Sequence, residues 1–452
     1  MFFAKCIIIS REIKHVVEKW VIIYFAAMKG KGVIRVELIR RLREEEIKEF
    51  VDIVVNAYPG WGFNTLEERQ KLEEKLIRTQ REVAAVNFYG FFRERELLGG
   101  MRLHDFKLRL GSQKVDACGL GLVAVHLMHK KEKVAKEIVT YFLRHYRERR
   151  FPIAMLYPFS PDFYKRMGFG FGTKMNQYSI KPKNLAKVGS KNHIRFFREE
   201  DKQLLLDCYA RIAENTNGMV DRSGAELNNI LILPQNKLAV YMKDGRIEGY
   251  IVFMFKKASQ DNGLKNDIFI KEFLYENTEA LRSLMTFLST QEDQINRVIF
   301  NTLDENFHHL LLDPRDCSDN LMTQVYHESN LQGVGLMYRV TDTRVLFEAL
   351  RGHNFNNQSC KLKLNISDSF IKENDGSVIV DFTGGRAVVS EVSEYEVEVD
   401  LDIADFSSLI VGAVGFKALL KYGIAKLSAS EYADIVDRIF EMPEKPICLT
   451  LF

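Results

Sequence analysis

The chain has 452 residues, a length that suggests about three domains. Its 46% apolar and 28% charged residues make an ordinary soluble, core-forming composition. A net charge of +3, from 64 basic against 61 acidic residues, argues against a nucleic-acid binder, because phosphate recognition needs concentrated positive charge. The six cysteines (Cys6, Cys118, Cys208, Cys317, Cys360, Cys448) stand far apart, with no CxxC or Cys/His ligand spacing. This argues against a zinc site or a disulfide framework and suits a reducing cytoplasm.

Residues 1–27 are apolar but broken by Arg11, Glu12, Lys14, Glu18 and Lys19, too interrupted for a membrane span and lacking signal-peptide order. Met28-Lys-Gly-Lys-Gly reads as a fresh start, so residues 1–32 are taken as an extension from a start placed too far upstream, with an amphipathic anchor helix as the alternative. VIRVELIRRL (33–42) is then a strand, and EEEIKEFVDIVVNAY a helix with Ile47, Phe50, Val51, Val54 and Val55 at helical spacing. YPGWGF (58–63) is a break, and LEERQKLEEKLIRTQ a second, charged helix. Residues 83–106 read as a hairpin turning at RERE, and GLGLVAVHL (119–127) as a strand buried on both faces. A helix follows over EKVAKEIVTYFLRHYRER, then a buried strand PIAMLYPF (152–159), the stretch FSPDFYKRMGFGFGTKM (159–175), and MNQYSIKP, which closes the unit near 182.

Much of that order recurs. HIRFFREEDKQLLLDCYARI (193–212), the hairpin KLAVYMKDGRIEGYIVFMF (237–255) turning at Asp244-Gly245, DIFIKEFLYENTEALRSLMTFLST and RVIFNTL (297–303) echo the first copy, so an internal duplication is read. The copies differ where chemistry would lie: HLMHKKEKVAK becomes FLYENTEA, and FYKRMGFGFG becomes DENFHHLLLDP. A third, α+β unit begins near 335. In its YEVEVDLDI strand, Tyr395, Val397, Val399, Leu401 and Ile403 share one face. Asp405 or Ser407 would cap a helix through SSLIVGAVGFKALLKYG, and SEYADIVDRIF (430–440) is a last helix before an apolar tail, PEKPICLTLF.

Each constellation has a bland reading beside a functional one. The basic loop before the helix near 134 places Lys130, Lys131, Lys133 and Lys136 where N–H groups and dipole favour a pyrophosphate, or it is a solvated helix start. Gly168 after Tyr164 is a left-handed helix cap, which leaves room for Tyr164 to do chemistry as well. His126 with His129, and His308 with His309, lack further ligands, so no metal is expected. Tyr58-Pro-Gly-Trp61 is either a substrate-side lid or a packed loop.

Strand, helix, helix, hairpin, VAV with its basic loop, then strand and FYKRMGF resemble the GNAT acetyltransferase fold. With the duplicated unit and the small α+β unit, Val33–Phe452 resembles an Eis-type (enhanced intracellular survival) N-acetyltransferase. The resemblance implies a catalytic GNAT domain over 33–182, a degenerate GNAT-like domain over 183–335 and a sterol-carrier-protein-like domain over 336–452. It implies acetyl-coenzyme A as co-substrate, held by Val123, Ala124 and Val125, by the loop Lys130, Lys131, Glu132, Lys133, Val134, Ala135 and Lys136, and by Ser160. Tyr164 would be the general acid and the α-carboxylate of Phe452 the general base, with Trp61 and Phe63 on the substrate side. The implied acceptor is a primary amine of a cationic molecule, aminoglycoside- or polyamine-like, or a lysine-bearing protein. A homo-oligomer, a hexamer among the options, is implied too, with neither nucleic acid nor membrane as partner. Lys133 departs from the family pattern, where a glycine stands, and this keeps a non-catalytic binding protein with a relic GNAT domain as the alternative.

Overall fold

The structure, a computed structural model, describes residues 22–25, 36–259 and 263–452. The extension read as 1–32 lies outside these, apart from a backbone strand, Ile22–Phe25, paired antiparallel with Val36–Arg41. The chain groups into two bodies. One holds Met1–Arg78, Asn87–Arg102 and Leu122–Ile138; the other holds Thr79–Val86, Leu103–Gly121 and Val139–Phe452.

In the first body, Val36–Arg41 also pairs antiparallel with Val86–Arg93, setting Glu37 opposite Arg93, whose side chains form an ion pair of 2.9 Å. The helix Glu44–Ala57 buries Ile47, Phe50, Val51, Val54 and Val55, the face its periodicity marked, and Ile53 besides. Three glutamates open its first turn, where carboxylates meet the positive end of the helix dipole. The break at 58–63 is a 3-10 turn, Pro59–Trp61, and the charged helix runs Leu66–Glu82.

The second body contains several sets of strand pairing, among them a two-stranded ribbon, Leu321–Thr323 with Tyr326–His327. Ile153–Leu156 pairs in parallel with Ala117–Leu120, and on its other side antiparallel with Met337–Val340, which also pairs with Gly170–Phe171. A seven-stranded sheet runs in the order Asn330–Gly333, Met175–Ile180, Ile295–Thr302, Asn266–Tyr275, Arg246–Lys257, Lys237–Lys243, Ile194–Phe196. Helices Lys202–Ala213 and Thr278–Ser289 bury their apolar faces in this copy. The duplicated order is therefore real at the level of elements.

Chain order and pairing part company at both domain boundaries. Met175–Ile180, read as closing the first unit, pairs instead with Ile295–Thr302 and Asn330–Gly333 of the second. Met337–Val340, read as opening the third unit, pairs with the first unit's Ile153–Leu156. The two copies exchange a strand, which boundaries at 182 and 335 do not express.

The last unit is a five-stranded sheet ordered Arg386–Ser390, Gly376–Thr383, Cys360–Ser367, Val397–Asp402, Lys426–Leu427. Val397, Val399 and Leu401 are buried, as their alternation required. The helix expected over 407–423 is two helices, Ile403–Ile410 and Phe416–Lys421. Its cap is Asp402, whose carboxylate accepts from the Ala404 N–H at 2.8 Å, and not Asp405 or Ser407. Ser407 is turned inward, donating to the Ile403 carbonyl and accepting from the Val340 N–H. One hydrophobic core joins Phe406, Leu409 and Ile410 to Phe106, Leu108, Ile153 and Met155, so this unit is packed as continuous interior with the second-body part of the first. Among the described residues no helix is long and apolar enough to cross a membrane.

Candidate active site

The ladder between Gln113–Val125 and Ile153–Leu156 ends at Leu120 opposite Leu156, yet the first of these strands runs on to Val125. Leu122 takes a φ of 49°, a left-handed kink that a branched side chain adopts only under constraint. The next residue is held from the side: the Tyr58 hydroxyl donates to the Val123 carbonyl at 2.6 Å. Tyr58 stacks on Trp61 at 4.4 Å, and Trp61 meets Phe63 edge-on at 6.5 Å. The aromatic break at 58–63 thus supports the VAV strand. Sequence reasoning named the loop's Trp61 and Phe63 but not the hydrogen bond of Tyr58. Burial pushes the Tyr58 phenol up, and the positive charge of Arg102 partly opposes this. Arg102 itself is pushed down to about 10 by burial, and Lys75 is lowered by burial and then by Arg102 and Arg78.

Past Val125, the His126 N–H donates to the Leu98 carbonyl and a 3-10 turn covers Leu127–His129. Glu132 is bound by Arg93 at 2.6 Å and lies 3.3 Å from His129, which also reaches Glu96. The Arg93 hydrogen bond, then His129, hold its carboxyl below the usual range. Glu132 therefore braces the loop. Lys131 and Lys133 have φ of 66° and 68°. The Lys133 carbonyl accepts the Glu137 N–H at 3.0 Å, so Lys133 stands at the cap of the helix Val134–Glu148. The N–H groups of Val134 and Ala135, in the first turn of this helix, have no partner within it by geometry. Together with Lys130, Lys131, Lys133 and Lys136, this is a phosphate-compatible cradle.

In the second body, Ser160 starts a short helix, Pro161–Lys165, with its hydroxyl on Asp162 and its carbonyl accepting from Phe163 and Tyr164. Tyr164 is 2% exposed and lies edge-on to Phe159, Phe163 and Phe169. The helix closes with the Phe169 N–H on the Tyr164 carbonyl and the Gly168 N–H on the Lys165 carbonyl, the two bonds of a Schellman cap, with Gly168 at φ 82°. A Cβ on Gly168 would stand 1.4 Å from Nη1 of Arg339. Arg339 donates to the Met167 carbonyl and pairs at 2.6 Å with Asp368, both side chains fully buried. A Cβ on Gly170 would stand 1.9 Å from the Ala404 carbonyl oxygen. The glycine run is where Met337–Val340 and the helix Ile403–Ile410 close on the chain. It serves packing.

The C-terminal tail is threaded through the second body. The Thr173 hydroxyl donates to the Pro446 carbonyl, the Ile447 N–H to the Asn217 carbonyl, and the Tyr157 hydroxyl to the Thr450 carbonyl. Arg222 reaches the Thr450 hydroxyl at 3.4 Å while pairing at 2.8 Å with Glu272; the two charged side chains are 0% and 2% exposed. Tyr250 donates to the same carboxylate. The Phe452 ring ends the tail among His104, Phe106 and Tyr157, with centroids 5.5, 5.0 and 5.3 Å away, and against Gly119. Gly119 lies on the strand that leads to Val123. Tyr157, raised by burial, keeps its proton and so keeps its grip on Thr450. Neither Tyr157 nor Arg222 was marked by sequence reasoning, since each acts through a residue far away in the chain. Among the described residues no group of side chains is suited to a metal.

This fold is that of a tandem GNAT acetyltransferase closed by a sterol-carrier-like unit. The acetyltransferase (GNAT) domain model matches residues 38–172, a second acetyltransferase (GNAT) domain model matches 218–340, and the sterol carrier protein domain model matches 346–449. The chain is thereby an enzyme of the acyltransferase class, and GNAT domains use acetyl-coenzyme A as co-substrate. It is 22% identical over 299 residues to an uncharacterized N-acetyltransferase of Streptomyces avermitilis, covering 62% of this chain and 70% of that one. Its fold matches a GCN5-related N-acetyltransferase from Anabaena variabilis (TM-score 0.77, 18% identity, 92% of this chain and 100% of that one). It also matches Eis1 from Mycobacterium abscessus (TM-score 0.70, 18% identity, 92% and 100%).

Proposed function

We propose that this protein is an Eis-type N-acetyltransferase that moves the acetyl group of acetyl-coenzyme A to a primary amine by direct attack. The observation that carries the reading is the seating of Phe452 among His104, Phe106, Tyr157 and Gly119, with the tail behind it fixed by Tyr157, Asn217 and Arg222. An apolar C-terminus needs a core, but it does not need this much hydrogen-bonded guidance.

The primary amine is mostly ammonium at neutral pH, so a base has to remove a proton before or during attack. The Phe452 carboxylate supplies that base, directly or through one water. Tyr164 holds a proton for the departing thiolate. With reference values near 10 for a phenol and 8.5 for a thiol, that transfer is uphill by only about 2 kcal/mol, small against the barrier of acyl transfer. Val123, Ala124 and Val125 present backbone groups to the pantetheine arm, and the cradle from Lys130 to Lys136, with Ser160, takes the phosphates. Glu132 acts there as a brace. On the same resemblance, the enzyme is a cytoplasmic homo-oligomer.

The acceptors implied by resemblance are an aminoglycoside- or polyamine-like molecule or a lysine side chain. A thiol-release assay with polyamines, aminoglycosides, lysine peptides and amino acids separates these. Tyr164→Phe lowers turnover at least a hundredfold and leaves acetyl-coenzyme A binding within about threefold, in keeping with the usual weight of one proton-transfer group. One extra residue after Phe452 lowers turnover similarly, because the carboxylate moves. Wild-type rates in both proteins would sink the proposed roles.

A further inference from the structure

The second copy has a cleft of its own. Asn266–Tyr275 pairs in parallel with Ile295–Thr302 only from Asn266 and Ile295 to Phe269 and Ile299. Beyond that point the strands run on to Tyr275 and Thr302, as Gln113–Val125 runs on past its ladder in the first copy. Here the ends of the two strands line a cleft of about 740 Å³, within the range of small-molecule sites. Its apolar walls include Phe273, Phe300, Val414 and Phe440.

The charge of its lining is one-sided. Asp304, Glu305, Asp437, Glu441 and Glu444 face it, against Lys271 and Lys445. Glu272, also in the lining, is neutralised by buried Arg222. Lys445 is committed to Glu305 at 2.7 Å, and Asp437 is shared with Lys417. Asp304, Glu441 and Glu444, against Lys271 alone, leave the rim net negative. The second copy lacks the lysine-rich loop of the first, so this cleft has no cradle for a pyrophosphate, and its chemistry suits the opposite charge.

We propose that this cleft is a second ligand site, for an organic cation with an apolar body: a diamine or polyamine whose methylene chain lies on the part-exposed Phe273, Tyr275 and Val414 while its ammonium groups meet Asp304, Glu441 and Glu444. Glu441–Lys445, Ile447 and Leu449, which line it, belong to the tail that ends at Phe452, so occupancy orders the tail.

The test uses the full chain carrying Tyr164→Phe, without acetyl-coenzyme A, so that it stands apart from the transferase reading. Hydrogen exchange is followed with 1,8-diaminooctane, 1,8-octanediol and suberate at equal concentrations. The diamine protects 266–275, 295–307 and 441–449, and the diol and dicarboxylate do not. Glu441→Gln with Glu444→Gln, both exposed, weakens the diamine at least tenfold. Val414→Trp, which fills the cleft without changing its charge, also removes the protection. Equal protection by diol and diamine, protection only elsewhere, no protection by any of the three, or unchanged affinity in both variants overturns the proposal.

Discussion

Lys133 shows how much one residue's backbone decides. The sequence alone marked it as a departure, a lysine where the resembled family keeps glycine. The structure gives it φ 68° at the cap of Val134–Glu148. An L-residue pays about 1–2 kcal/mol to hold that conformation, and glycine does not. The departure is thus a side-chain change on a retained backbone, which was not legible because a dihedral angle has no letter. Lys133→Gly is expected to raise the thermal midpoint, by relief on the order of 1 kcal/mol. Lys133→Ala removes the same charge but keeps a Cβ, so it is expected to leave the midpoint near wild type. Thermal shift of the two variants in parallel checks this; equal midpoints would show that charge, and not strain, is what the substitution changes.

At the scale of elements, periodicity was a good guide wherever the element buried a face of its own. The helix Glu44–Ala57 and the strand Val397–Asp402 follow their patterns closely. It failed where a neighbour decides. Alternation carries the strand through Asp402 but also on to Ile403, which opens the helix; Asp402 ends the strand and caps that helix at once. Gly412, at φ 82° and with Met442 against the place of its Cβ, ends a helix that looked continuous in composition. The same dependence on neighbours governs His145, in the last turn of Val134–Glu148. A helix C-terminus ordinarily favours a protonated histidine. Here burial, with Arg149 adding and Asp105 opposing, pushes the imidazole down to about 4. The ring stacks on Tyr141 and meets Tyr146 edge-on. The folded chain therefore binds this proton more weakly than the unfolded chain, whose histidine titrates near 6.5. Its neutral form contributes stability in full above about pH 6.5, and that contribution is lost as pH falls toward 4, by about 3 kcal/mol at most. In His145→Gln, the midpoint is expected to fall less steeply between pH 6.5 and 4 than in wild type. Parallel curves would refute the assignment.

At the scale of the molecule, the order of elements in the sequence was enough for two copies and a third unit, but it could not show which strand pairs with which copy, or what guides the tail. Pairing partners far apart in the chain leave no local pattern, and a single buried asparagine leaves none either. Asn217 is 5% exposed. Its amide nitrogen donates to the carbonyls of Val411 and Glu444, its side-chain oxygen accepts from the Gly111 N–H, and its own carbonyl accepts from the Ile447 N–H. One residue of the second copy thereby clasps a hairpin turn of the first, the sterol-carrier-like unit and the tail. Asn217→Asp keeps an acceptor for Gly111 and removes both donors, so the Val411 and Glu444 carbonyls each lose a partner, at roughly 1–3 kcal/mol apiece. If the Phe452 carboxylate is the base, its position is set by this clasp together with Tyr157 and Arg222. Asn217→Asp is then expected to lower kcat at least tenfold and to change acetyl-coenzyme A affinity less than twofold. Hydrogen exchange should rise in 441–452 over the same comparison. A tail that exchanges faster while kcat stays at the wild-type value would mean that the proton is taken by some other group, and the fixed tail would then be an element of architecture alone.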